Sequence, residues 1–566
     1  MLAMSHRDKV LTCDVLLVGG GAAGTMLATI LARNGFSVSL VEGGVHPRFT
    51  IGESTVPQMS MMLRIAALRF GVPELADIAS FYRLRDRIST NCGVKRGFGF
   101  LVHQDGAATQ GAGALQSPIP ELLHGPESHW FRQDIDMYLM HVAIGSGVRV
   151  LQHDPIQTID IDAERVSALT RSGVEIKSEY IVDASGPAGV VAKHLKLRHQ
   201  QTTLQTHSRS MFCHLLGVGR IDDSIPNLPS APRPWSQVTM HHMFDGGWFW
   251  VIPFNNIRSS NNPLVSVGLT LDAVRYPIPD DLSAGEEFDS FVAKFPSLSA
   301  HFKGAQAARP WVRTGRLQYN SSECVGARYC LMPHAAGFVD PLFSRGLANT
   351  ARFLFSLGKR LIEAKADGRL GRERFAPLHR LQQGMLSGDD DLIATSYLAM
   401  KDPSLWNAWY RLWSIGTILD GFRLNRALSK FNDTHNRAYL DEIDHEQPFF
   451  GALGQGFDSY QTLKREAAAR IRQADSGKLS IAQATQEIYE LLGAFDGVPK
   501  LFAFADRTRQ YTVDYELGTM LKLVRWGKTQ SPPEIRALFD YSPKSFLVGF
   551  FKNRRNHQTL KPKSSR

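Results

Sequence analysis

The 566-residue chain has no apolar run approaching the roughly 20 residues that span a bilayer. Its first strand starts near Thr12, which leaves no room for a secretory leader ahead of it. A soluble, cytoplasmic protein with no membrane association is the expectation. Cysteine is scarce. Cys13, Cys92, Cys213, Cys324 and Cys330 are scattered, odd in number and without C-x-x-C spacing. That pattern points away from a disulfide framework and from a zinc site, so no metal is expected. Internal repeats and long low-complexity linkers are lacking too. Acid is in deficit: the net charge is +10. Part of the excess lies in the tail Lys552-Asn553-Arg554-Arg555 through Lys561, Lys563 and Arg566, read as a solvated end. The remainder suits anionic ligands or an acidic carrier protein. No motif beyond charge supports binding to nucleic acid.

What is present is a globular composition, 43% apolar and 21% charged, in a chain long enough for two substantial cores. Val15 to Val18 reads as a strand, followed by Gly19-Gly20-Gly21-Ala22-Ala23-Gly24. A helical pattern runs from about Ala22 to Asn34 and stops at Gly35. Phe36 to Val41 is a second strand ending at Glu42. G-x-G-x-x-G is a weak signal alone, but between a strand and a helix, with an acid at this distance, it is a dinucleotide fingerprint. Gly19 permits the tight turn, Gly21 the approach of a pyrophosphate, and Gly24 close helix–strand packing. The pyrophosphate sits on the helix N-terminus, and Glu42 accepts from ribose hydroxyls.

Short strands alternate with turns from about Gly147 to Ala184, and residues 205–320 are rich in strand formers and aromatics. From about Leu347 the pattern turns helical, with Asp402-Pro403 as a capped helix start. Trp406, Trp409, Tyr410 and Trp413 then fall on one helix face, either as core or as an aromatic wall for a substrate.

Several segments resemble those of flavin-dependent halogenases. His46-Pro47-Arg48-Phe49-Thr50-Ile51-Gly52-Glu53-Ser54-Thr55-Val56-Pro57 resembles the family's G-E-S segment. Arg132-Gln133-Asp134-Ile135-Asp136 is similar to the R-x-x-F-D segment of the wider FAD monooxygenases, with Ile135 in place of phenylalanine. Trp248-Phe249-Trp250-Val251-Ile252-Pro253 matches the W-x-W-x-I-P mark of the halogenases. Phe338-Val339-Asp340-Pro341-Leu342-Phe343-Ser344-Arg345-Gly346 resembles F-x-x-P-L-x-S-x-G. These matches span residues 19 to 346. The resemblance implies an α/β fold: a Rossmann-like FAD-binding domain of the FAD monooxygenase type with an inserted β-rich substrate domain at about 205–320. Residues 1–350 then form the FAD-binding and halogenation module, and residues 351–566 a mostly α-helical region covering the substrate.

By the same resemblance, FAD is held by Gly19, Gly21, Ala23, Gly24, Glu42, Arg48, Ser54 and Arg132. Pro333-His334 stands where many relatives have Gly-Asp, so Asp340 is the nearest replacement for the aspartate on the flavin ribityl chain. Chloride or bromide rests against backbone N–H groups near Arg345 and Gly346, where Arg345 either adds charge or is merely solvated. Trp248, Trp250 and Pro253 shield the flavin from substrate. Lys95, in Lys95-Arg96-Gly97-Phe98-Gly99-Phe100, resembles the lysine that handles hypohalous acid, by hydrogen bonding or as a haloamine. An amine can do either where desolvation lowers its pKa. Phe343 replaces the glutamate of tryptophan halogenases, which points to a phenol or pyrrole.

The implied enzyme therefore takes FADH2 from a separate NADH-dependent reductase, uses oxygen and halide, and halogenates a small aromatic that is free or carried on a protein. The alternatives are an FAD-dependent aromatic hydroxylase of the same fold, a non-oxygenating flavin reductase and a non-catalytic flavin-binding protein.

Overall fold

The strand Val10–Val18 lies at the middle of a parallel sheet, with Val38–Glu42 on one side and Glu175–Asp183 on the other. Arg149–Gln152 extends the sheet beyond Val38–Glu42. Tyr329–Leu331 pairs in parallel with Glu175–Asp183, and Val166–Thr170 and Ile156–Ile161 continue it as antiparallel strands. The computed structural model describes residues 10–107, 109, 111–542, 560 and 562. The basic tail residues Lys552, Arg554, Arg555, Lys561, Lys563 and Arg566 lie outside the described residues. Val15, Leu16, Leu17 and Val18 are all buried. A strand covered on both faces needs such an unbroken apolar run rather than alternation. The helix Ala22–Arg33 connects the first two strands and ends at Asn34, with Gly35 at φ 83°.

A second, larger sheet orders its strands as Gln306–Ala307, Ser208–Leu216, Val265–Asp272, Gly247–Pro253, Thr239–Phe244, Gly97–Val102 and Leu115–Pro118. The β-rich part thus begins upstream of residue 205. Gly97–Val102 is buried at every position; its start alternates glycine with phenylalanine, but glycine is a poor strand former, which weakens the strand signal. Gly247–Pro253 alternates. Trp248, Trp250 and Ile252 face the main core shared with the dinucleotide domain, and Phe249 and Val251 face a second core.

The helical part contains Gly346–Asp367, Arg372–Ala399, Pro403–Thr434, Asp458–Asp475, Ile481–Ala494 and Leu517–Thr529. Asp402 caps the third of these, accepting from the N–H groups of Ser404 (2.8 Å) and Leu405 (3.2 Å), with Pro403 at the first helical position. Pro403–Thr434 packs on the helix Pro57–Phe70. The helical part therefore shares the main core with the dinucleotide domain. All five cysteines are free and buried. Among the described residues, no helix is long and apolar enough to cross a membrane, and no cluster of His, Cys, Asp or Glu has a metal-binding arrangement.

Candidate active site

The glycine turn is held by steric necessity. Gly19 has φ 107°, and a Cβ there would lie 2.5 Å from the Ala184 carbonyl oxygen. A Cβ on Gly24 would lie 1.9 Å from the Gly19 carbonyl oxygen. At Gly21 the nearest obstacle is the Arg48 guanidinium, 3.7 Å away. The helix that starts at Ala22 has no side-chain cap and no acid in its first turn, so its free N–H groups and positive end of the dipole suit a pyrophosphate. Ala23 stands half-buried in that first turn.

The Glu42 carboxylate accepts from Gly20 N–H (2.7 Å) and Gly44 N–H (2.8 Å) and lies 3.6 Å from Arg48. Burial raises its pKa, but these donors and Arg48 outweigh burial and keep it below the usual carboxylate range. Arg48 also donates to Thr50. Its Nε, and both ring nitrogens of the neighbouring His46, are buried without a partner among the described residues. Polar atoms left open beside an uncapped helix fit a dinucleotide. Arg132 is differently employed. It makes a bidentate pair with Asp136 (2.8 and 2.9 Å) and donates to the Ile51 and Gly52 carbonyls, so it fixes the loop that presents Ser54.

Lys95 is fully buried at the end of the short strand Gly93–Lys95, which pairs with Glu127–His129. Its amine donates to Ser54 Oγ at 2.7 Å and stands 3.6 Å from the centre of the Phe98 ring. It makes no ion pair among the described residues; Glu127, its cross-strand neighbour, is engaged by the Thr55 and Ser60 hydroxyls. Burial therefore carries the Lys95 pKa well below the ordinary lysine value, against the opposing pull of Glu127. Ser54 binds Lys95, Thr239 (2.8 Å) and Ser344 (3.1 Å) through one hydroxyl.

The segment Phe338–Gly346 is a strained turn. Phe343 and Ser344 have φ 67° and 56°, a region costing non-glycine residues about 1–2 kcal/mol each. Asp340 anchors the turn, accepting from Leu342 N–H (3.0 Å), Ser208 (2.6 Å) and Tyr397 (3.2 Å). Burial raises its pKa to about 6. Arg345 is ion-paired with Asp389 rather than freely solvated. Gly346 opens the helix Gly346–Asp367, whose first turn has no acid and no side-chain cap, and a Cβ there would lie 2.8 Å from His334 Nε2.

Phe343 stacks on Trp413 (centroids 4.7 Å, 19°) and Trp406 (6.1 Å, 6°). Phe98, Phe343 and Trp413 line a cavity of ≈ 120 Å³ together with Met61, Phe422 and Tyr515. The aromatic stripe therefore divides. Trp413 is cavity wall, whereas Trp409 donates to Ser396 at 2.8 Å and is core. Trp248 and Trp250 pack against each other at 5.7 Å, and Trp250 lies flat over Gly268, where a Cβ would be 2.1 Å from the indole.

A family profile described as tryptophan halogenase matches residues 14–74 and 129–412. The chain is 42% identical over 540 residues to the monodechloroaminopyrrolnitrin halogenase PrnC of Pseudomonas fluorescens, covering 94% of this chain and 95% of that protein. It is 38% identical over 535 residues to the tetracycline 7-halogenase of Kitasatospora aureofaciens, with the same coverage, 94% and 95%. This chain belongs to the flavin-dependent halogenases.

Among solved structures, halogenase PltM in complex with phloroglucinol and FAD superposes with a TM-score of 0.84 at 30% identity, covering 88% of this chain and 99% of that one. This halogenase accordingly has the α/β FAD-binding fold with a helical C-terminal part, and works with FADH2 from a flavin reductase and a halide. The flavoprotein architecture was readable from Gly19, Gly24 and Glu42. Thr239 and His129, which complete the surroundings of Lys95, carry no sequence signal. They meet Ser54 only because Ser54 bridges to His129 and Thr239 pairs with Phe98 across separate strands.

Proposed function

We propose that this halogenase installs chloride or bromide on a neutral, electron-rich phenol or pyrrole that arrives as a free small molecule, with Lys95 as the catalytic residue. The observation that carries the reading is the Lys95 amine, buried, without an ion pair among the described residues and in contact with Phe98 on the wall of the cavity. The cavity's lining is mostly apolar and aromatic, and Arg345, its charged member, is neutralised by Asp389. Phe343 puts a hydrocarbon ring where a general-base carboxylate would need to stand, so the ring itself must be reactive. Two relatives matched over 95% of their length are named for monodechloroaminopyrrolnitrin and for tetracycline, with no carrier protein in either name. A carrier-protein-bound pyrrole chlorinase matches at 26% over 62% of this chain.

Gly19, Gly21, Ala23, Gly24, Glu42 and Arg48 hold the FAD, and the uncapped N–H groups at Arg345 and Gly346 hold the halide. Bound FAD, reduced by a separate NADH-dependent reductase, supplies the oxygen chemistry that converts halide to hypohalous acid. Trp248 and Trp250 fill the inner face of their strand with rigid indoles and exclude the substrate there. Burial lowers the pKa of Lys95 well below the ordinary lysine value, and its neutral amine has a lone pair to attack the halogen of hypohalous acid. The N–halogen bond forms as the O–halogen bond breaks, and one amine proton leaves with hydroxide as water. The aromatic ring then takes the halogen, and its proton returns to the amine.

The test combines the protein with FAD, a flavin reductase, NADH, oxygen, chloride or bromide, and a panel of phenols and pyrroles. Halogenated products are expected in the mass spectra. Hydroxylated products without halogen would refute the reading. Lys95→Ala should lose halogenation while flavin binding and peroxide release persist, and full activity in that variant removes Lys95 from the mechanism.

A further inference from the structure

The side chains behind Lys95 form a hydrogen-bond chain whose direction is determined by its far end. His129 is fully buried. Its Nδ1 lies 2.9 Å from the Pro253 carbonyl oxygen, which can only accept, so Nδ1 carries the proton. Burial pushes the imidazole pKa down to about 3, so the ring is neutral and Nε2 is an acceptor. The Thr239 hydroxyl, 2.9 Å from Nε2, must therefore donate to it. Thr239 Oγ1 is then left to accept, and the Ser54 hydroxyl at 2.8 Å must donate to it. Ser54 Oγ has only its lone pairs left, which receive Lys95 N–H at 2.7 Å and Ser344 O–H at 3.1 Å.

We infer that Pro253, His129, Thr239 and Ser54 act as a polarised positioning chain that compels Lys95 to donate rearward, leaving its lone pair free for the electrophilic halogen. This rests on Lys95 being the halogen-handling residue. A serine able to rotate would donate into the amine lone pair and occupy the electrons that the reaction needs. The chain prevents that, because its one mobile hydrogen per hydroxyl is already committed toward His129.

The backbone is built to keep the terminus in place. Gly93 lies opposite His129 in the strand pair, and a Cβ there would sit 2.2 Å from the Pro253 carbonyl oxygen. Only glycine lets that carbonyl reach the imidazole. Pro253 is the last residue of the W-x-W-x-I-P segment, so this element also sets the orientation of the lysine from behind. The charged or titratable groups facing Lys95 are Glu127 from the paired strand, His129 from the same strand, and His241 from the strand Thr239–Phe244. His241 is tied to the Gly99 carbonyl at 3.1 Å and does not enter the chain.

The experiment compares Thr239→Val, which keeps the shape and removes the hydroxyl, with Thr239→Ser, which restores it. FAD binding is measured first, as a check that each variant folds around the cofactor. Halogenated product is then measured against free hypohalous acid captured by a diketone trap. In Thr239→Val the rate of halogenation should fall by about 10- to 100-fold, the scale of a lost orientation. Hypohalous acid production should continue, so trapped oxidant rises relative to product, while KM for the aromatic substrate stays unchanged. Thr239→Ser should restore the product-to-trap ratio.

His129→Phe should uncouple to the same degree, and the double variant Thr239→Val/His129→Phe should be no worse than either single one, as members of one chain are not additive. Wild-type coupling in Thr239→Val, or additive losses in the double variant, overturns the proposal. Lys95→Met separates the two readings. If it still halogenates, the role of Lys95 itself fails; if it is inactive while Thr239→Val remains fully coupled, only the positioning chain fails.

Discussion

Phe343→Glu puts a carboxyl where this chain has a stacked ring, and its cost follows from the packing. Phe343 is 1% exposed, stacked on Trp413 at 4.7 Å and on Trp406 at 6.1 Å. Losing a buried phenylalanine costs about 1.5–3 kcal/mol, and two stacked partners add about 0.5–1.5 kcal/mol each. A protonated carboxyl without a hydrogen-bond partner adds about 1–3 kcal/mol. The sum is about 3.5–9 kcal/mol, comparable with the whole stability of an ordinary domain at about 5–15 kcal/mol.

The pH dependence has a definite sign. An apolar site raises the folded-state pKa of the new carboxyl above the unfolded value of about 4.3. The folded protein then holds the proton longer than the unfolded one. Variant stability, relative to wild type, is highest below pH of about 4.3 and falls by up to about 1.4 kcal/mol per pH unit until the folded-state pKa is passed. Urea unfolding of wild type, Phe343→Glu and the uncharged control Phe343→Gln at pH 5 and pH 8, followed by tryptophan fluorescence, reads this out. The glutamate variant should lose further ground on wild type at pH 8, and the glutamine variant should not. A glutamate variant within about 1 kcal/mol of wild type at both pH values would show that the cavity accommodates a carboxylate, and the argument for a substrate reactive enough to need none would collapse.

Two further outcomes test the cofactor end and the turn. Gly24→Ala should abolish FAD binding, measured by flavin absorbance on the purified protein, because its Cβ would lie 1.9 Å from the Gly19 carbonyl oxygen and nothing there can yield without opening the glycine turn. Asp340→Asn should flatten a pH dependence. Burial raises Asp340 to about 6, above its unfolded value of about 3.9. Its proton-linked stability is therefore complete below pH of about 4 and lost as pH rises through 6, and the asparagine variant should gain on wild type over that window in denaturant titrations.

Both cofactor and chemistry were legible in the chain wherever a local constraint left a residue type behind. Gly19, Gly24 and Glu42 lie within one strand–helix–strand unit, and their spacing reflects contacts among near neighbours. Asp402-Pro403 likewise announced its helix, since a cap acts on the N–H groups two and three residues on. Gly97–Val102 gave only a weak strand signal, because Gly97 and Gly99 are poor strand formers, and its place in the larger sheet depends on pairing with Thr239–Phe244, far away in sequence. The tryptophan stripe was ambiguous for a related reason: helical spacing places Trp409 and Trp413 on one face but does not say that one meets Ser396 and the other the cavity.

The sequence by itself determined the family and the flavin and put Lys95 forward as a candidate, because each is written in a short motif whose residues interact locally or with the cofactor. Tertiary structure alone decided what stands behind that lysine. Ser54, His129, Thr239, Pro253 and Ser344 come from five separate segments and share no spacing. Their hydroxyls and imidazole acquire a direction only when strand pairing sets them 2.7 to 3.1 Å apart around one buried amine. Hydrogen-bond polarity depends on a partner's position in space, which no one-dimensional pattern encodes.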